Sequence, residues 1–292
     1  MVNGMELLIP ILEMSPVFSL AAFGQLLGQK SGVYDLGVEG TMTTGAVFGV
    51  LGAYMGLNSW GCLLMGALVG IPFGAAMFFV SEKLKLNQIV VGFGLWLMGL
   101  GLAGSIYTVL LAPQHIKIEA VGAVAFGLDP IFYLSIGLLV FLIFLFARTK
   151  YGLIVTAVGE NPRVADTAGI NVEKVRAICL VVGSALAGLA GSYVAVDVVQ
   201  GFTYTMIAGY GWMAFALVIF GRWKPIYVFA GSLLFVAITG ISARLEILGM
   251  GFLPPNYVAV LPYIGVLVVL TLAMIFAKET GMPAGLGQPY TK

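Results

Sequence analysis

The sequence predicts an all-α membrane protein with about nine transmembrane helices, each of the length needed to cross the hydrocarbon layer. Of its 292 residues, 60% are hydrophobic and 9% are charged, and the mean hydropathy is +1.05. Soluble domains carry roughly 25% charged residues, so the composition indicates a membrane protein. Apolar runs such as FALVIFG do not alternate between apolar and polar residues, as the strands of a membrane β-barrel would.

Successive windows of about 20 apolar residues give the predicted spans. They leave room for two longer connections, an outer loop over residues 113–130 and an inner loop over residues 149–174. No window is separated from the next by a soluble domain, so residues 1–292 are predicted to form a single transmembrane domain. The windows cover residues 7–28, 36–56, 60–80, 88–112, 131–147, 177–197, 203–221, 226–243 and 257–277.

The positions of the basic residues predict the orientation. If the N-terminus lies outside, all but two of the 14 Lys and Arg residues fall on the inner side, the exceptions being Lys117 and Arg244. The positive-inside rule therefore places the C-terminus in the cytoplasm. The first 29 residues contain no Lys or Arg and so lack the basic start of a cleavable signal peptide. The first helix is therefore expected to be retained.

Small residues at helical spacing predict close contacts between the helices. Glycines recur four residues apart at Gly24 and Gly28, at Gly45 and Gly49, and along Gly66, Gly70 and Gly74. This spacing lets helix backbones approach each other, and we interpret it as packing within the bundle rather than as a dimer motif. Cys62 and Cys179 fall within apolar windows and are predicted to be buried thiols without a disulfide.

One polar passage stands out in this apolar chain: VGENPRVADTAGINVEKVR, residues 158–176. Asn161 and Pro162 predict the start of a helix, because asparagine caps helices and proline fits the first turn. Gly169 predicts its end, in the left-handed conformation that glycine adopts readily. We therefore expect a short helix over residues 162–168. It is either part of a solvated hairpin or a docking element for a cytoplasmic partner.

The same loop carries a resemblance to a known family. RTKYGLIVTAVGENPRVADTAGINVEKVR resembles the cytoplasmic loop of permease subunits of ABC importers in the branched-chain amino acid and simple-sugar group. KSGVYDLGVEGTM, TMIAGYGWMAFALVIFGRWKP and PAGLGQPY resemble three further segments of that family, so the likeness extends from residue 31 to residue 290. It is nearest to the shorter permease of nucleoside importers that use a basic-membrane-protein type lipoprotein.

The resemblance implies a site for an ATPase partner. In that family the loop holds a coupling helix that lies in a cleft of the ATPase subunit. ATP and Mg²⁺ would bind on that separate subunit and no cofactor on this chain, which has no GxxxxGK[ST] phosphate loop and is not expected to be an enzyme. The residues that match the coupling segment are Glu160, Asn161, Pro162, Arg163, Asp166 and Gly169.

The resemblance also implies the rest of the assembly. It would contain a second homologous permease, with the pathway between the two, and an extracytoplasmic substrate-binding lipoprotein. Membrane lipid would surround both permeases, in the cytoplasmic (inner) membrane of a bacterium. The formal net charge of +1 gives no indication of nucleic-acid binding.

Departures from the family pattern bear on the solute. Tyr210 stands where the family has Arg, and Trp96 stands where a smaller polar residue is common. The resemblance places the spans that carry Phe93, Trp96 and Trp212 near the pathway, where their rings could stack on a flat heterocycle. Alternatively, Trp96 only packs against neighbouring helices and has no role in the pathway. Purine nucleosides are the favoured solute, with riboflavin or a simple sugar such as ribose as alternatives.

Acidic residues within the apolar windows are the remaining pathway candidates. Asp35 and Glu39 are four residues apart at the start of the second window, where a helix would place them on one face. Ionisable groups in a membrane usually line a cavity or a gate, and Glu39 is therefore expected near the inner mouth of the pathway. The alternative is a solvated helix end. Asp197, Arg244 and Glu246 are expected near outer span ends, as interfacial charge or as contacts for the binding protein.

Two other classes of function fit the sequence less well. An intramembrane enzyme would need a nucleophile and base or a metal site, and His115, the single histidine, lies in the outer loop away from any cluster of Cys or carboxylates. An ion-coupled carrier would usually show related halves with broken helices and embedded acids, for which Glu39 alone is weak support.

Overall fold

The computed structural model describes residues 4–112, 114, 117–124, 126–247, 264, 265, 268, 271, 281–288 and 290, with the backbone alone for residues 4–8, 10 and 242–247. Most of these residues are helical, as predicted. Of the predicted spans, residues 203–221 are only about half helical, and residues 257–277 lie almost wholly outside the described residues. The helices are α1 (Gly4–Lys30), α2 (Val38–Tyr54), α3 (Ser59–Phe78), α4 (Gln88–Ile106), α5 (Pro130–Arg148), α6 (Lys150–Glu160), α7 (Pro162–Thr167), α8 (Val172–Tyr193), α9 (Tyr210–Phe220) and α10 (Pro225–Ile247).

Five of the described helical segments are long and apolar enough to cross a membrane. Three of these segments include a π-helical turn that continues α3, α4 or α8. The helix α9 and the first part of α10 are shorter apolar helices, and α2 is a 17-residue helix enclosed by its neighbours. The chain is therefore a multi-pass membrane protein. The five segments are Ile11–Lys30, Ser59–Lys83, Gln88–Leu111, Pro130–Arg148 and Val172–Val198.

Helix α8 lies at the centre of the bundle because small residues let three other helices approach its backbone. A Cβ atom added to Gly24 of α1 would overlap the carbonyl oxygen of Gly183, and one added to Gly70 of α3 would overlap that of Ser184. The same holds for Gly45 of α2, which lies against Gly188. These contacts confirm the prediction that the spaced glycines serve packing within the bundle.

The remaining helices pack around this centre. The helix α4 lies against α2, while α9 and α10 lie against α1. The ring of Phe18 on α1 contacts both α9 and α10: its centroid lies 4.9 Å from that of Tyr210 and 4.6 Å from that of Phe235. Tyr210 therefore packs into the helix bundle. Both cysteines are buried and free, as the sequence predicted.

One end of the bundle, here called the α7 end, gathers the termini of many helices. Trp223, just beyond α9, donates its indole N–H to Gln29 Oε1 of α1 at 2.9 Å. Lys83, at the end of α3, forms an ion pair with Glu173 in the first turn of α8. Gly159 of α6 approaches the carbonyl oxygen of Lys30 so closely that no side chain would fit there. The short helix α7 is therefore attached to the ends of the long helices.

The loop over residues 149–174 is more helical than the sequence predicted. A single short helix was expected, but α6 precedes it and occupies residues 150–160. Thr149 separates α6 from α5, and its hydroxyl accepts the Gly152 N–H at 3.1 Å, which caps the first turn of α6. Within the predicted 113–130 loop, the described residues before α5 are non-helical, as expected.

Candidate functional site

The helix α7 has the termini that its sequence predicts. The Asn161 side chain accepts the N–H of Val164 at 3.2 Å, and Pro162 occupies the first turn. After the helix, Gly169 has a φ of +83°, and the N–H of Ile170 donates to the carbonyl of Ala165 at 3.0 Å. This is the Schellman arrangement, which satisfies the last carbonyls of a helix. The predicted helix and its glycine cap are confirmed.

The six residues predicted to couple to a partner lie together around α7, but they do not all face outward. Arg163 is exposed, and its neighbour Val164 exposes 61% of its surface. Glu160 is exposed as well, although its carboxylate accepts the backbone N–H of Ala284 at 3.2 Å, and the half-buried Asp166 accepts a hydrogen bond from the Tyr290 phenol. Arg163 and Val164 therefore provide an exposed charge and an exposed apolar side chain on α7 itself.

Two clefts flank α7 and both are lined in part by the C-terminal segment of the chain. One of about 420 Å³ lies between Asp166 and Lys85, and the other, of about 350 Å³, lies between Arg163 and Ala284. Tyr290 borders both clefts. The surface at this end is thus a ridge, α7, with a recess on each side, a shape that suits docking of another protein.

A second cluster lies inside the bundle, where α9 begins. Gly209 precedes the helix in the left-handed conformation, with a φ of +89°. Glu39 of α2 caps this helix from across the bundle: Oε1 accepts the N–H of Gly209 at 2.7 Å, and Oε2 accepts those of Gly211 at 2.7 Å and Trp212 at 3.4 Å. A carboxylate at a helix N-terminus satisfies free N–H groups and is favoured by the helix dipole.

Glu39 is buried in the bundle rather than at a solvated helix end, and its place relative to the inner mouth of the pathway stays a prediction. The helix α9 has 11 residues, which at about 1.5 Å per residue is roughly 16 Å, half the thickness of a hydrocarbon layer. Glu39 binds the end of α9 that is remote from the α7 end. The residues before α2 form a non-helical segment, which lets its first turn begin inside the bundle.

Asp35 lies outside the helix that the sequence predicted to include it. It precedes α2 and does not share a helix face with Glu39. Its carboxylate accepts the N–H of Gly37 at 3.0 Å and the hydroxyl of Ser184 at 3.2 Å. Ser184 lies about 18 Å along α8 from Val172 at the helical rise of about 1.5 Å per residue. Both acids therefore lie deep in the bundle and have hydrogen-bond partners there.

The three aromatic residues predicted along the pathway form one cluster beside Glu39. The ring centroids of Phe93 and Trp212 are 5.4 Å apart, those of Trp96 and Trp212 are 5.5 Å apart, and those of Phe93 and Trp96 are 5.9 Å apart. Phe93 exposes 41% of its surface. Among the described residues, the Trp96 indole N–H has no hydrogen-bond partner. The cluster thus combines an exposed ring, Phe93, with a buried donor, the Trp96 N–H.

The structure places the other predicted polar residues in different surroundings. Asp197 accepts the N–H of Val121 at 2.6 Å and thereby attaches the 113–130 loop to the π-helical turn that continues α8. The side chains of Arg244 and Glu246, and all of His115, lie outside the described residues. In the part of the chain that the structure describes, no group of three or more His, Cys, Asp and Glu residues could hold a metal ion.

The buried ion pair of Arg176 and Glu82 was not predicted from the sequence. Arg176 of α8 is fully buried, and its Nη1 lies 2.7 Å from Glu82 Oε2. The Glu82 Oε1 atom accepts the side-chain amide of Gln88 at 3.0 Å. The sequence signal was faint: two opposite charges at the ends of apolar windows, 94 residues apart.

Comparison with known proteins agrees with this architecture. Residues 7–272 match the family described as branched-chain amino acid transport system, permease component. The guanosine ABC transporter permease NupQ of Bacillus subtilis is 30% identical, over 94% of this chain and 92% of its own. The nucleoside ABC transporter permease NupC of Lactococcus lactis is 28% identical, over 100% and 98%. TsgC13 of Haloferax volcanii, named for glucose ABC transport, is 29% identical, over 96% and 95%.

Proposed function

Because the chain belongs to the family of branched-chain amino acid transport permeases and is the permease of an ABC importer, we propose that it carries purine nucleosides. In this proposal it forms half of the pathway and a second, homologous permease forms the other half. A separate cytoplasmic ATPase binds ATP and Mg²⁺, and an extracytoplasmic lipoprotein delivers the solute. The assembly lies in a bacterial inner membrane, with the α7 end of this chain in the cytoplasm.

The surface around α7 supports the proposed contact with the ATPase. It combines an exposed basic residue, Arg163, with an exposed apolar one, Val164, on a helix fixed at both ends. The clefts on either side of α7 could accept side chains of a protein partner. Docking there would let movements of the ATPase reach α6 and α8, which adjoin α7 in the chain and in space.

Reversing the charge of Arg163 is expected to uncouple ATP hydrolysis from uptake. The Arg163→Glu protein should fold, because the side chain is exposed, but uptake per ATP should fall at least about fivefold, as typical coupling energies imply. The measurement is guanosine uptake and phosphate release by the complex in proteoliposomes. Arg148→Glu, at an exposed position on the end of α5, is the matched control. Equal coupling in both variants would contradict the role of α7.

The energy source separates this proposal from an ion-coupled carrier. With the ATPase disabled by mutation and the ion gradients left intact, uptake should stop. Uptake that persists under these conditions would favour the carrier.

The aromatic cluster is the observation that favours a nucleoside over the alternatives. Phe93, Trp96 and Trp212 form a cluster of rings in which Phe93 is exposed, and such a cluster suits stacking on a flat heterocycle. The positive end of α9, which could otherwise bind a phosphate, already holds the Glu39 carboxylate. The site therefore suits an uncharged nucleoside rather than a nucleotide. The glucose relative keeps a simple sugar as the second candidate, with riboflavin as a third flat-ring possibility.

Loss of one ring from this cluster is expected to weaken transport of nucleosides. An aromatic contact contributes about 0.5–1.5 kcal/mol, so Trp212→Ala should lower kcat/KM for guanosine roughly two- to tenfold. Trp60→Ala, at an exposed position on α3, is the control.

Competition for uptake identifies the solute. Guanosine, adenosine and inosine should each reduce uptake of labelled guanosine, and ribose, glucose and riboflavin should not. Competition by a sugar or riboflavin but by no nucleoside would contradict the assignment.

A further inference from the structure

The C-terminal residues 281–288 and 290, here called the tail, cross the α7 end of the bundle. The backbone N–H of Gly285 donates to the carbonyl of Gly159 at 2.8 Å, beside the Ala284 contact to Glu160. Two residues later, the N–H of Gly287 donates to the carbonyl of Gly32 at 3.1 Å. The tail thus contacts the end of α6 on one side and the segment between α1 and α2 on the other.

The tail then joins the buried ion pair described above. Arg176 Nη1 donates to the carbonyl of Gln288 at 3.1 Å, and the N–H of Tyr290 lies 3.4 Å from Glu82 Oε2. The Arg176 Nε atom donates to the carbonyl of Ser31 at 3.1 Å. The same guanidinium therefore holds the tail, the end of α3 and the segment that leads into α2.

Tyr290 connects this junction to α7. Its ring is buried in a cluster with Val158, Ala165 and Val172, which belong to α6, α7 and α8. Burial and the nearby Asp166 carboxylate raise the pKa of its phenol, which stays protonated and donates to Asp166. Its carbonyl accepts the ammonium of Lys85, next to the start of α4. One residue thus touches four helical elements or their ends.

We propose that the tail is part of the coupling device of this permease, and that Tyr290 is the positioning residue that links α7 to the segment before α2. The inference rests on the proposed docking of the ATPase at α7. A force on α7 would pass through Tyr290 and the tail to Gly32 and Arg176. From there it would reach the segment that carries Asp35 and leads into Glu39, which caps the helix of Trp212. Without the tail, the Gly287 contact to Gly32 would be lost, while Arg176 would keep its own bond to the Ser31 carbonyl.

The test compares variants of Tyr290 in the complete complex, reconstituted in proteoliposomes. Tyr290→Ala should keep the ATPase bound and active, while guanosine uptake per ATP falls about fivefold or more, the usual scale of coupling between sites. Tyr290→Phe keeps the ring in its cluster and should retain at least half of the coupling. Tyr227→Ala, at an exposed tyrosine of the same end, is the control. If Tyr290→Ala does not accumulate, Tyr290→Leu, which refills the cluster, takes its place.

The outcomes separate this inference from the proposed function. Normal uptake per ATP in the Tyr290 variant, with Arg163→Glu uncoupled, would overturn the role of the tail and leave the docking at α7 intact. Release of the ATPase by the Tyr290 variant would also overturn it, since the tail would then belong to the docking surface. Hydrolysis unrelated to uptake in the unmodified complex would instead contradict the proposed function itself.

Discussion

Glu39→Gln is expected to lose most of the transport activity, although the two side chains have the same shape. Both carboxylate oxygens of Glu39 accept backbone N–H groups of α9. A glutamine has one acceptor oxygen, and its NH₂ group would face an N–H donor. Each buried donor left unsatisfied costs about 1–3 kcal/mol. The start of α9 would shift, and with it Trp212 and the aromatic cluster.

Guanosine uptake by the complex measures this effect. A loss of at least about tenfold corresponds to 1.4 kcal/mol, near the lower end of that cost. Glu119→Gln, at an exposed glutamate of the outer loop, should transport like the unmodified protein. Unchanged uptake by the Glu39→Gln protein would show that the start of α9 does not need the carboxylate.

Glu82→Ala is expected to cause the largest loss of stability among single substitutions at charged residues of the α7 end. Glu82 and Arg176 expose 1% and 0% of their side chains, so removal of the glutamate leaves a buried, uncompensated guanidinium. Breaking a buried pair in this way costs about 3–5 kcal/mol. The Gln88 amide and the Tyr290 N–H would lose their acceptor at the same time.

The thermal unfolding of the purified permease in detergent provides the measurement. The exposed pair of Glu173 and Lys83 is the matched control, with side chains 38% and 47% exposed, and Glu173→Ala should cost about 0–1 kcal/mol. A double variant, Glu82→Ala with Arg176→Met, should recover part of the loss because it removes the unpaired charge. Equal midpoints for Glu82→Ala and Glu173→Ala would contradict the prediction.

Local signals in the sequence were sufficient to predict α7 and both of its ends. Its cap, its proline and its terminal glycine act within a few residues of one another, and the structure shows the helix where they predict it. Hydropathy was less informative for α9. Residues 203–209 are apolar enough to continue a predicted span, but the chain turns there and the helix begins only at Tyr210. An apolar window predicts that residues are buried in lipid or protein, but it does not predict where a helix is broken.

The contacts between distant residues could not be predicted. Glu39 and Gly209 are 170 residues apart, and nothing near either residue indicates the other. The expected shared face of Asp35 and Glu39 failed because it assumed that the helix begins before residue 35. The aromatic cluster was predicted from residue types and family resemblance, and the structure brings its three members together. The uptake and competition experiments on Trp212→Ala test their contact with the solute.

The glycine contacts around α8 have a mechanical consequence. Where side chains interlock, two helices resist sliding, because each displacement along the axis forces knobs out of their holes. At Gly24 with Gly183 and at Gly45 with Gly188, smooth backbone lies against smooth backbone. Small sliding of packed helices is one of the ways in which proteins change shape. We therefore expect α1 and α2 to slide against α8 at these glycine contacts during transport, because no side chain has to leave a hole there.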